Sequence, residues 1–192
     1  MGWKKENHKR SREEDEEMNW FTADPHYHHD KIIKYCKRPF LHTREMDNTI
    51  VARYNSRVQD DDTVYFIGDL FDLQLGKIFP IVEKMVNKLK GRKILILGSH
   101  DYLEPFKYVE AGFESVHTSL QVGEFILVHD PAVSCIDRTR VFLCGHVHEL
   151  FKVQKNVINV GVDVWNFFPV SLPQIEELKK ELTYGYGETK KS

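Results

Sequence analysis

The side chains best suited to chemistry in this chain follow short apolar runs. Five such runs end directly in a cluster that contains aspartate or histidine. Continuous apolar runs of this kind are typical of strands buried on both faces, and reactive groups collect at the carboxyl ends of such strands. The pattern therefore predicts one polar site assembled across a sheet. The clusters are Asp24-Pro25-His26, Gly68-Asp69-Leu70-Phe71-Asp72, Gly98-Ser99-His100-Asp101, His129-Asp130 and Gly145-His146-Val147-His148.

The clusters combine carboxylates with imidazoles, which are the ligands that suit Zn, Mn, Fe and Ni. His146 and His148 are two residues apart, so an extended backbone would place both rings on one side. Asp24 and His26 repeat that spacing, and Asp69 stands where its carboxylate could reach two ions. Two divalent ions about 3.5–4 Å apart can hold both the attacking and the leaving oxygen of a displacement at phosphorus. The residues therefore favour metal-dependent hydrolysis of phosphate esters.

The composition indicates one globular domain. The chain has 192 residues, of which 41% are hydrophobic and 29% charged, and its formal net charge is -2. It is long enough to bury a core, and it has no general basic field for nucleic acid. No apolar stretch approaches the ~18 residues of a membrane span, and three widely spaced cysteines favour reduced thiols in the cytoplasm. We expect a flexible charged extension over 1–17, a single domain over 18–184 and a tail over 185–192.

Hydrophobic spacing predicts the elements that position the clusters. Amphipathic helices are expected over 45–58 and 77–89, with shorter helices over 30–36 and 102–111. The second half of the chain is mostly strands, followed by a late helix over 174–182. This order favours a helix-covered pair of sheets in one α/β domain. The later strands are expected over 113–122, 124–129, 141–144, 150–154 and 157–160.

Taken in order, the five clusters resemble those of the calcineurin-like metallophosphoesterases. The matching motifs are D-x-H, G-D-x-x-D, G-[N/S]-H-D, a strand-end His and G-H-x-H, and they extend from Asp24 to His148. The stretches 32–40 and 159–165 further resemble a small prokaryotic and phage branch of these proteins. The resemblance implies a four-layer α/β/β/α sandwich of two mixed sheets flanked by helices, with a two-metal site at one edge.

The resemblance also implies which side chains bind the two ions. Mixed nitrogen and oxygen ligands favour Mn²⁺, Fe²⁺ or Zn²⁺ over Mg²⁺. The implied ligands are Asp24, His26 and His148 for the first ion, Ser99, His129 and His146 for the second, and Asp69 as the bridge between them.

For catalysis, the resemblance implies that His100 assists the departing oxygen while a hydroxide bridging the two ions attacks phosphorus. An imidazole can supply that proton near neutral pH. We expect the substrate to be a phosphate ester, a diester rather than a monoester, with nucleotides and nucleic acids among the candidates.

The chain departs from the family pattern at Ser99, where the family usually has asparagine. A serine hydroxyl is shorter than an amide and is usually a poorer ligand for a hard cation. We therefore expect weaker binding of the second ion and reduced activity. Asp130 also stands where many members have glycine, which narrows the access beside His129.

Four further residues are candidates for substrate contacts or for support of the ligands. Arg38 either pairs with a phosphate or forms a surface salt bridge. Asp101 either orients His100 or caps the helix that follows it. Asp72 is expected to fix a histidine that lies behind the ligands, and His29 either contacts substrate or faces solvent.

Two alternatives remain open at this point. A nuclease would use the same chemistry but needs a groove for the polymer, with a basic rim supplied by Lys34, Lys37, Arg38 and Lys107. A protein-binding scaffold that has lost catalysis would be consistent with Ser99, although the other motif residues argue against it.

Overall fold

The computed structural model describes residues 17–71, 78–135 and 137–185. Asp72 and nearly all of the two predicted terminal extensions lie outside these residues. Within them, the chain forms two five-stranded sheets with helices packed around them. The predicted α/β sandwich of two mixed sheets is confirmed. None of the helices in the described ranges has both the length and the apolar character that crossing a bilayer requires.

The first half alternates strands with helices, as predicted, and the second half is dominated by strands. The strands are β1 (Asn19–Thr22), β2 (Thr63–Ile67), β3 (Arg92–Ile96), β4 (Ser115–His117), β5 (Ser119–Val122), β6 (Phe125–Val128), β7 (Val141–Cys144), β8 (Val153–Gln154), β9 (Val157–Asn159) and β10 (Val170–Ser171). The helices are α1 (Asp30–Tyr35), α2 (Thr43–Asn55), α3 (Ile78–Val86), α4 (Pro105–Glu110) and α5 (Leu172–Gly185), with 3₁₀ turns at Pro131–Cys135 and Val162–Val164.

Parallel pairing brings the strand ends that carry the clusters to one edge. The first sheet has the order β10-β1-β2-β3-β4, in which β1 to β4 are parallel and β10 is antiparallel. The second has the order β5-β6-β7-β9-β8, in which β6, β7 and β9 are parallel and both outer strands are antiparallel. A parallel bridge between Ala23 and Gly161 joins the two sheets just beyond β1 and β9. Both sets of carboxyl ends therefore face the same region.

Alternation of side chains explains why the strands are apolar on both faces. Phe21, Ile67 and Ile96 of the first sheet pack against Leu127 and Leu143 of the second, in the core between the sheets. Their strand neighbours point the other way, into a core shared with the helices. That outer core contains Val64, Phe66 and Leu95 from the strands, Met46, Ile50 and Tyr54 from α2, Val82 and Met85 from α3, and Tyr108 from α4.

The structure differs from the predicted elements in the connection between the sheets. The single strand expected over 113–122 is two strands, since β4 pairs with β3 while β5 pairs with β6. The chain thus passes from one sheet to the other at Thr118. The hydrophobic pattern runs through this point without a break because both strands are half-buried, so the pattern alone could not locate the crossing.

Two helices begin at residues other than the predicted ones, and local contacts explain the difference. Helix α2 begins two residues early because the His42 side chain accepts a hydrogen bond from the Glu45 N–H and caps the helix. Helix α4 begins only at Pro105, a residue suited to a first turn because it has no N–H to leave unpaired. At the amino-terminal boundary, Glu17 accepts a hydrogen bond from Thr63 and pairs with Arg92.

Candidate metal centre

Backbone hydrogen bonds continue the strand pairing into the loops and draw the clusters together. The Asp24 N–H donates to the Gly68 carbonyl at 3.1 Å, and the Gly145 N–H donates to the His129 carbonyl at 3.2 Å. Between the sheets, the His146 N–H donates to the Asp24 carboxylate at 2.9 and 3.0 Å from its two oxygens. Clusters up to 122 residues apart in sequence therefore meet at one edge of the sandwich.

One group of possible ligands consists of Asp24, His26 and His148. A ligand atom from each lies within 4.8 Å of the others. Asp24 and His26 are fully buried, whereas His148 is partly exposed. The sequence analysis assigned these three residues to one ion, and the structure brings them together.

A second group consists of Asp69, His129 and His146, again with ligand atoms within 4.8 Å of one another. The Asp69 Oδ2 atom lies 3.2 Å from His129 Nε2 and 3.6 Å from His26 Nε2. Asp69 therefore stands between the two groups, where the sequence analysis expected the bridging residue.

The polar atoms of these groups test whether metal ions would fit. Both ring nitrogens of His26 are buried without a hydrogen bond, and the buried Nε2 atom of His129 has only the Asp69 carboxylate beside it, at 3.2 Å. Buried polar atoms without partners are uncommon in folded proteins and call for an explanation. Burial also lowers the pKa of His26, which favours the neutral imidazole that binds metals. A mixed set of imidazoles and carboxylates fits divalent ions of the Mn²⁺, Fe²⁺ and Zn²⁺ type.

Hydrogen bonds orient two of the imidazoles through their Nδ1 atoms. The Nδ1–H of His129 donates to the Ile67 carbonyl at 2.9 Å. The Nδ1 atom of His148 lies 3.1 Å from Asp163 Oδ2. Contacts of this kind fix which ring nitrogen carries the proton and leave Nε2 for a metal.

Local charges set the protonation of the centre in the absence of ions. Burial raises the pKa of Asp24 to about 6. Burial opposes a charge on His129 and His148, but neighbouring carboxylates outweigh it and raise their pKa values to about 9 and about 10. The pKa of Asp69 is lowered despite its burial, because His129 and the His100 N–H stabilise its charge. The carboxylates thus create a field that favours positive charge at this edge.

The backbone is strained at five of the possible ligands. Asp24, His26, Asp69, His146 and His148 have φ angles of 54°, 47°, 55°, 72° and 47°. Positive φ is uncommon for residues other than glycine, and strained conformations of this kind cluster at functional sites. The sheet and loop contacts around these residues hold them in place at an energetic cost, which favours a functional role over a purely structural one.

At two motif glycines, atoms of a neighbouring cluster come too close to leave room for a side chain. Gly68 has a φ of 82°, and a Cβ there would lie 2.4 Å from His129 Nδ1. A Cβ at Gly145 would lie 2.7 Å from the Ala23 Cβ and 2.8 Å from Asp24 Oδ2. The clusters can approach one another only because these positions lack side chains.

Arg38 makes neither of the two contacts expected of it, a phosphate contact or a surface salt bridge. It is buried, and its guanidinium forms a two-pronged pair with Asp163 at 2.7 and 2.8 Å. It also donates to the carbonyls of Asp24 and Pro25 at 2.8 and 3.0 Å. The expectation of a phosphate contact or a surface salt bridge is therefore wrong. Arg38 has the other role for which it was a candidate, support of the ligands, because it holds Asp163 and the Asp24 loop behind them.

Asp101 also has a different role from the two expected. Its carboxylate accepts hydrogen bonds from the N–H groups of Gly98, Asp69 and Leu70, at 2.8, 2.9 and 3.0 Å. Helix α4 instead begins after Glu104, without a side-chain cap. Asp101 thus fastens the loop after β3 to the loop after β2, and in this way it positions Asp69.

The remaining candidates lie around the two groups. The Ser99 hydroxyl is 3.3 and 3.4 Å from the two Asp69 oxygens, and the side chain is exposed. The His100 N–H donates to Asp69 at 2.8 Å, its ring meets the His26 ring edge-on at 5.4 Å, and its Nδ1 lies 3.0 Å from the Tyr102 hydroxyl. His29 lies beside His26, with ring centroids 5.5 Å apart.

Two residues near the centre escaped the sequence analysis. Cys36 has its sulfur within 4.8 Å of ligand atoms of His148 and Asp163. Asn159 is buried and donates to the carbonyls of His148 and Phe151 at 2.7 and 2.8 Å, which shapes the loop that carries His148. Both lie in the two stretches that resemble the prokaryotic and phage branch, so position in those stretches was the available signal.

Comparison with known proteins places the chain in a family. An uncharacterized protein of Methanocaldococcus jannaschii is 34% identical over 169 residues, which is 83% of this chain and 89% of the relative. The chain belongs to the same family as this archaeal protein. The gene 66 protein of Mycobacterium phage L5 is 27% identical over 182 residues, covering 76% of this chain and 86% of its own. No protein-family model matches the chain.

Solved structures show a similar fold. A protein of unknown function from Aquifex aeolicus aligns with a TM-score of 0.65 and 20% identity, over 85% of this chain and all of its own. A nuclease from Pseudomonas putida aligns with a TM-score of only 0.47 and 19% identity, over 68% of this chain and 61% of its own. The first likeness supports the fold, and the second is too slight to bear on function.

Proposed function

We propose that this protein is a metal-dependent phosphodiesterase of the calcineurin-like superfamily. The observation that carries the proposal is that Asp69, which forms one group with His129 and His146, also lies 3.6 Å from His26 of the other group, whose buried ring nitrogens have no hydrogen bond. A protein-binding scaffold would gain nothing from this costly arrangement. Intact imidazole and carboxylate groups at the strand ends therefore favour an enzyme.

The residues of the centre divide the work between holding ions and handling the substrate. Asp24, His26 and His148 would hold one divalent ion, His129 and His146 the other, and Asp69 both. When bound, the ions would supply positive charge that attracts the phosphate and acidifies a water molecule. His100 is held against Asp69 by its backbone N–H, so its ring stands at the first group. It would donate a hydrogen bond or a proton to the departing oxygen.

Ser99 offers the weakest ligand atom of the set, because a serine hydroxyl is a poorer donor to a metal ion than an imidazole or a carboxylate. Its hydroxyl is directed at the Asp69 carboxylate, to which it can donate a hydrogen bond. We propose that it contributes weakly to the second ion and that this ion is held mainly by Asp69, His129 and His146.

The surface favours small diesters over nucleic acid as substrates. Of the expected basic rim, Arg38 is buried against Asp163, and Lys107 pairs with Glu110 at 2.7 Å. Lys34 and Lys37 remain exposed. Two lysines offer little for a polymer whose binding depends on many phosphate contacts.

Hydrolysis of bis(p-nitrophenyl) phosphate tests the proposal. We expect turnover with added Mn²⁺, its loss after EDTA treatment, and its return when Mn²⁺ is restored. His100→Asn should lower the rate by about a hundredfold or more, the usual contribution of a general acid. His117→Asn is the matched control, since this histidine lies on β4 beside Ser115. Turnover that survives EDTA, or that falls equally in both variants, would sink the proposal.

A further inference from the structure

A cavity of about 460 Å³ adjoins the second group of ligands. Ser99 and His129 form part of its wall, so the cavity opens onto the candidate metal centre. Its size lies within the range of about 300–1,000 Å³ that is usual for small-molecule sites. We call it the side pocket, and the other residues that line it are Leu97, Gly98, Thr118, Ser119, Val128, Asp130 and Val133.

The walls of the side pocket combine apolar surface with hydroxyl groups. Leu97, Val128 and Val133 supply the apolar part, and Thr118 and Ser119 supply hydroxyls where the chain passes from the first sheet to the second. A wall of this kind suits a group that is itself partly apolar and carries hydroxyls. It is poorly suited to a strongly hydrated ion, because contacts with this wall would not offset the cost of removing water from the ion.

The charge of the lining residues further limits which groups the side pocket could bind. Asp130 is the one charged side chain among the described lining residues apart from the histidine, and no lysine or arginine lines the cavity in the described ranges. One Asp130 oxygen accepts the Ala132 N–H at 2.8 Å. A carboxylate has about four acceptor positions, so Asp130 retains capacity for hydroxyl donors. It would also repel a second phosphate.

We infer that the side pocket binds the uncharged, hydroxyl-bearing ester group of the substrate, as in a nucleoside monoester of the phosphate, and that Asp130 excludes a second phosphate there. This inference rests on the proposed phosphodiesterase function and narrows its substrate class. Asp130 becomes a specificity-determining residue, since it accepts hydrogen bonds from sugar hydroxyls and disfavours polyanions.

Three p-nitrophenyl diesters test the inference with a common leaving group. They are methyl p-nitrophenyl phosphate, thymidine 5′-(p-nitrophenyl phosphate) and the same thymidine ester with a 3′-phosphate. We expect kcat/KM to be about tenfold higher for the thymidine ester than for the methyl ester, and about tenfold lower again once the 3′-phosphate is present. Asp130→Asn should remove most of the 3′-phosphate penalty. Asp60→Asn is the matched control, because it makes the same charge change at an exposed position before β2.

A second pair of variants tests the pocket by filling it. Val133 and Val109 are comparably exposed, at 44% and 47%, but only Val133 lines the cavity. Val133→Trp should abolish the preference for the thymidine ester over the methyl ester, whereas Val109→Trp should preserve it. Equal selectivity in the two variants, or a 3′-phosphate penalty that Asp130→Asn leaves intact, would overturn the inference.

A binding measurement separates failure of the inference from failure of the proposed function. Titration of thymidine into the metal-free protein should shift the backbone amide resonances of Thr118, Ser119 and Val133, and Val133→Trp should suppress the shifts. If no diester is hydrolysed but these shifts occur, the phosphodiesterase proposal fails and the pocket assignment stands. If bis(p-nitrophenyl) phosphate is hydrolysed and the shifts are absent, the pocket assignment fails alone.

Discussion

The backbone N–H of His146 donates to both carboxylate oxygens of Asp24, at 2.9 and 3.0 Å. Asp24 follows a strand of the first sheet, and His146 follows a strand of the second. The contact therefore joins the two sheets at the edge where the possible ligands converge. Because Asp24 is fully buried, its charge depends on such donors, and the metal groups cannot form unless the sheets are correctly packed.

Removal of the charge on Asp163 should weaken both the fold and the first metal group. Asp163 pairs with Arg38, whose side chain has no exposed surface, and with His148. In Asp163→Asn a buried guanidinium loses its partner, which costs about 3–5 kcal/mol of unfolding free energy. Freed from Asp163, His148 should bind metal about 10–100-fold less tightly.

Urea unfolding of the metal-free protein and calorimetric titration with Mn²⁺ measure these two effects. Asp137→Asn is the control, since Asp137 pairs with Arg140 at an exposed position. Loss of this exposed ion pair should change stability little. If the two variants are equally stable, Asp163 does not have the role assigned to it.

Metal ions should stabilise the protein, because they would satisfy the buried nitrogens of His26 and His129. At a free Mn²⁺ concentration about 100 times the dissociation constant, the gain should be about 2.7 kcal/mol. EDTA should reverse it, and His26→Ala should remove most of it. Differential scanning calorimetry with and without Mn²⁺ measures the gain. His117→Ala, a histidine change outside the centre, should retain it, and a gain that persists unchanged in His26→Ala would argue against the assignment.

Ser99→Asn should strengthen the binding of the second ion, which the protein is expected to hold more weakly. An amide oxygen reaches further than a hydroxyl and is a better neutral ligand, so affinity for the second ion should rise by about tenfold, with a parallel rise in activity at limiting Mn²⁺. Mn²⁺ titration followed by electron paramagnetic resonance reports both sites. Equal affinities in the wild type and the variant would show that position 99 contributes nothing to metal binding.

Gly68→Ala should be strongly destabilising. Gly68 has a φ of 82°, and the new Cβ would lie 2.4 Å from His129 Nδ1. A non-glycine residue in this conformation costs about 1–2 kcal/mol, and forced overpacking adds about 1–3 kcal/mol. Gly123→Ala is the matched control, with a φ of 57° and nothing within 4 Å of its Cβ. Chemical denaturation should show the conformational cost alone for Gly123→Ala and a clearly larger loss for Gly68→Ala.

The sequence foretold the parts of this molecule that repeat a local pattern. The apolar runs predicted the positions of β1, β2, β3, β6 and β7 and of the clusters that follow them. Such features depend only on residues that are close together in the sequence. The structure brings Asp24, His26 and His148 together, and likewise Asp69, His129 and His146, as the resemblance to the metallophosphoesterases implied.

What the sequence could not foretell depends on contacts between distant segments. Arg38 and Asp163 are 125 residues apart, and their burial against each other leaves no local signal. Asp101 looked like a helix cap because it precedes α4, yet its partners lie in another loop. The crossing at Thr118 leaves no mark in the hydrophobic pattern, since neither of the strands beside it contains a fully buried residue.

The central claim is that Asp69 stands between two metal ions, and crystals soaked in Mn²⁺ test it most directly. Anomalous scattering at the manganese edge should give two peaks about 3.5–4 Å apart. One should lie beside Asp24, His26 and His148, the other beside His129 and His146, with the Asp69 carboxylate between them. A single peak, or peaks away from Asp69, would contradict the account.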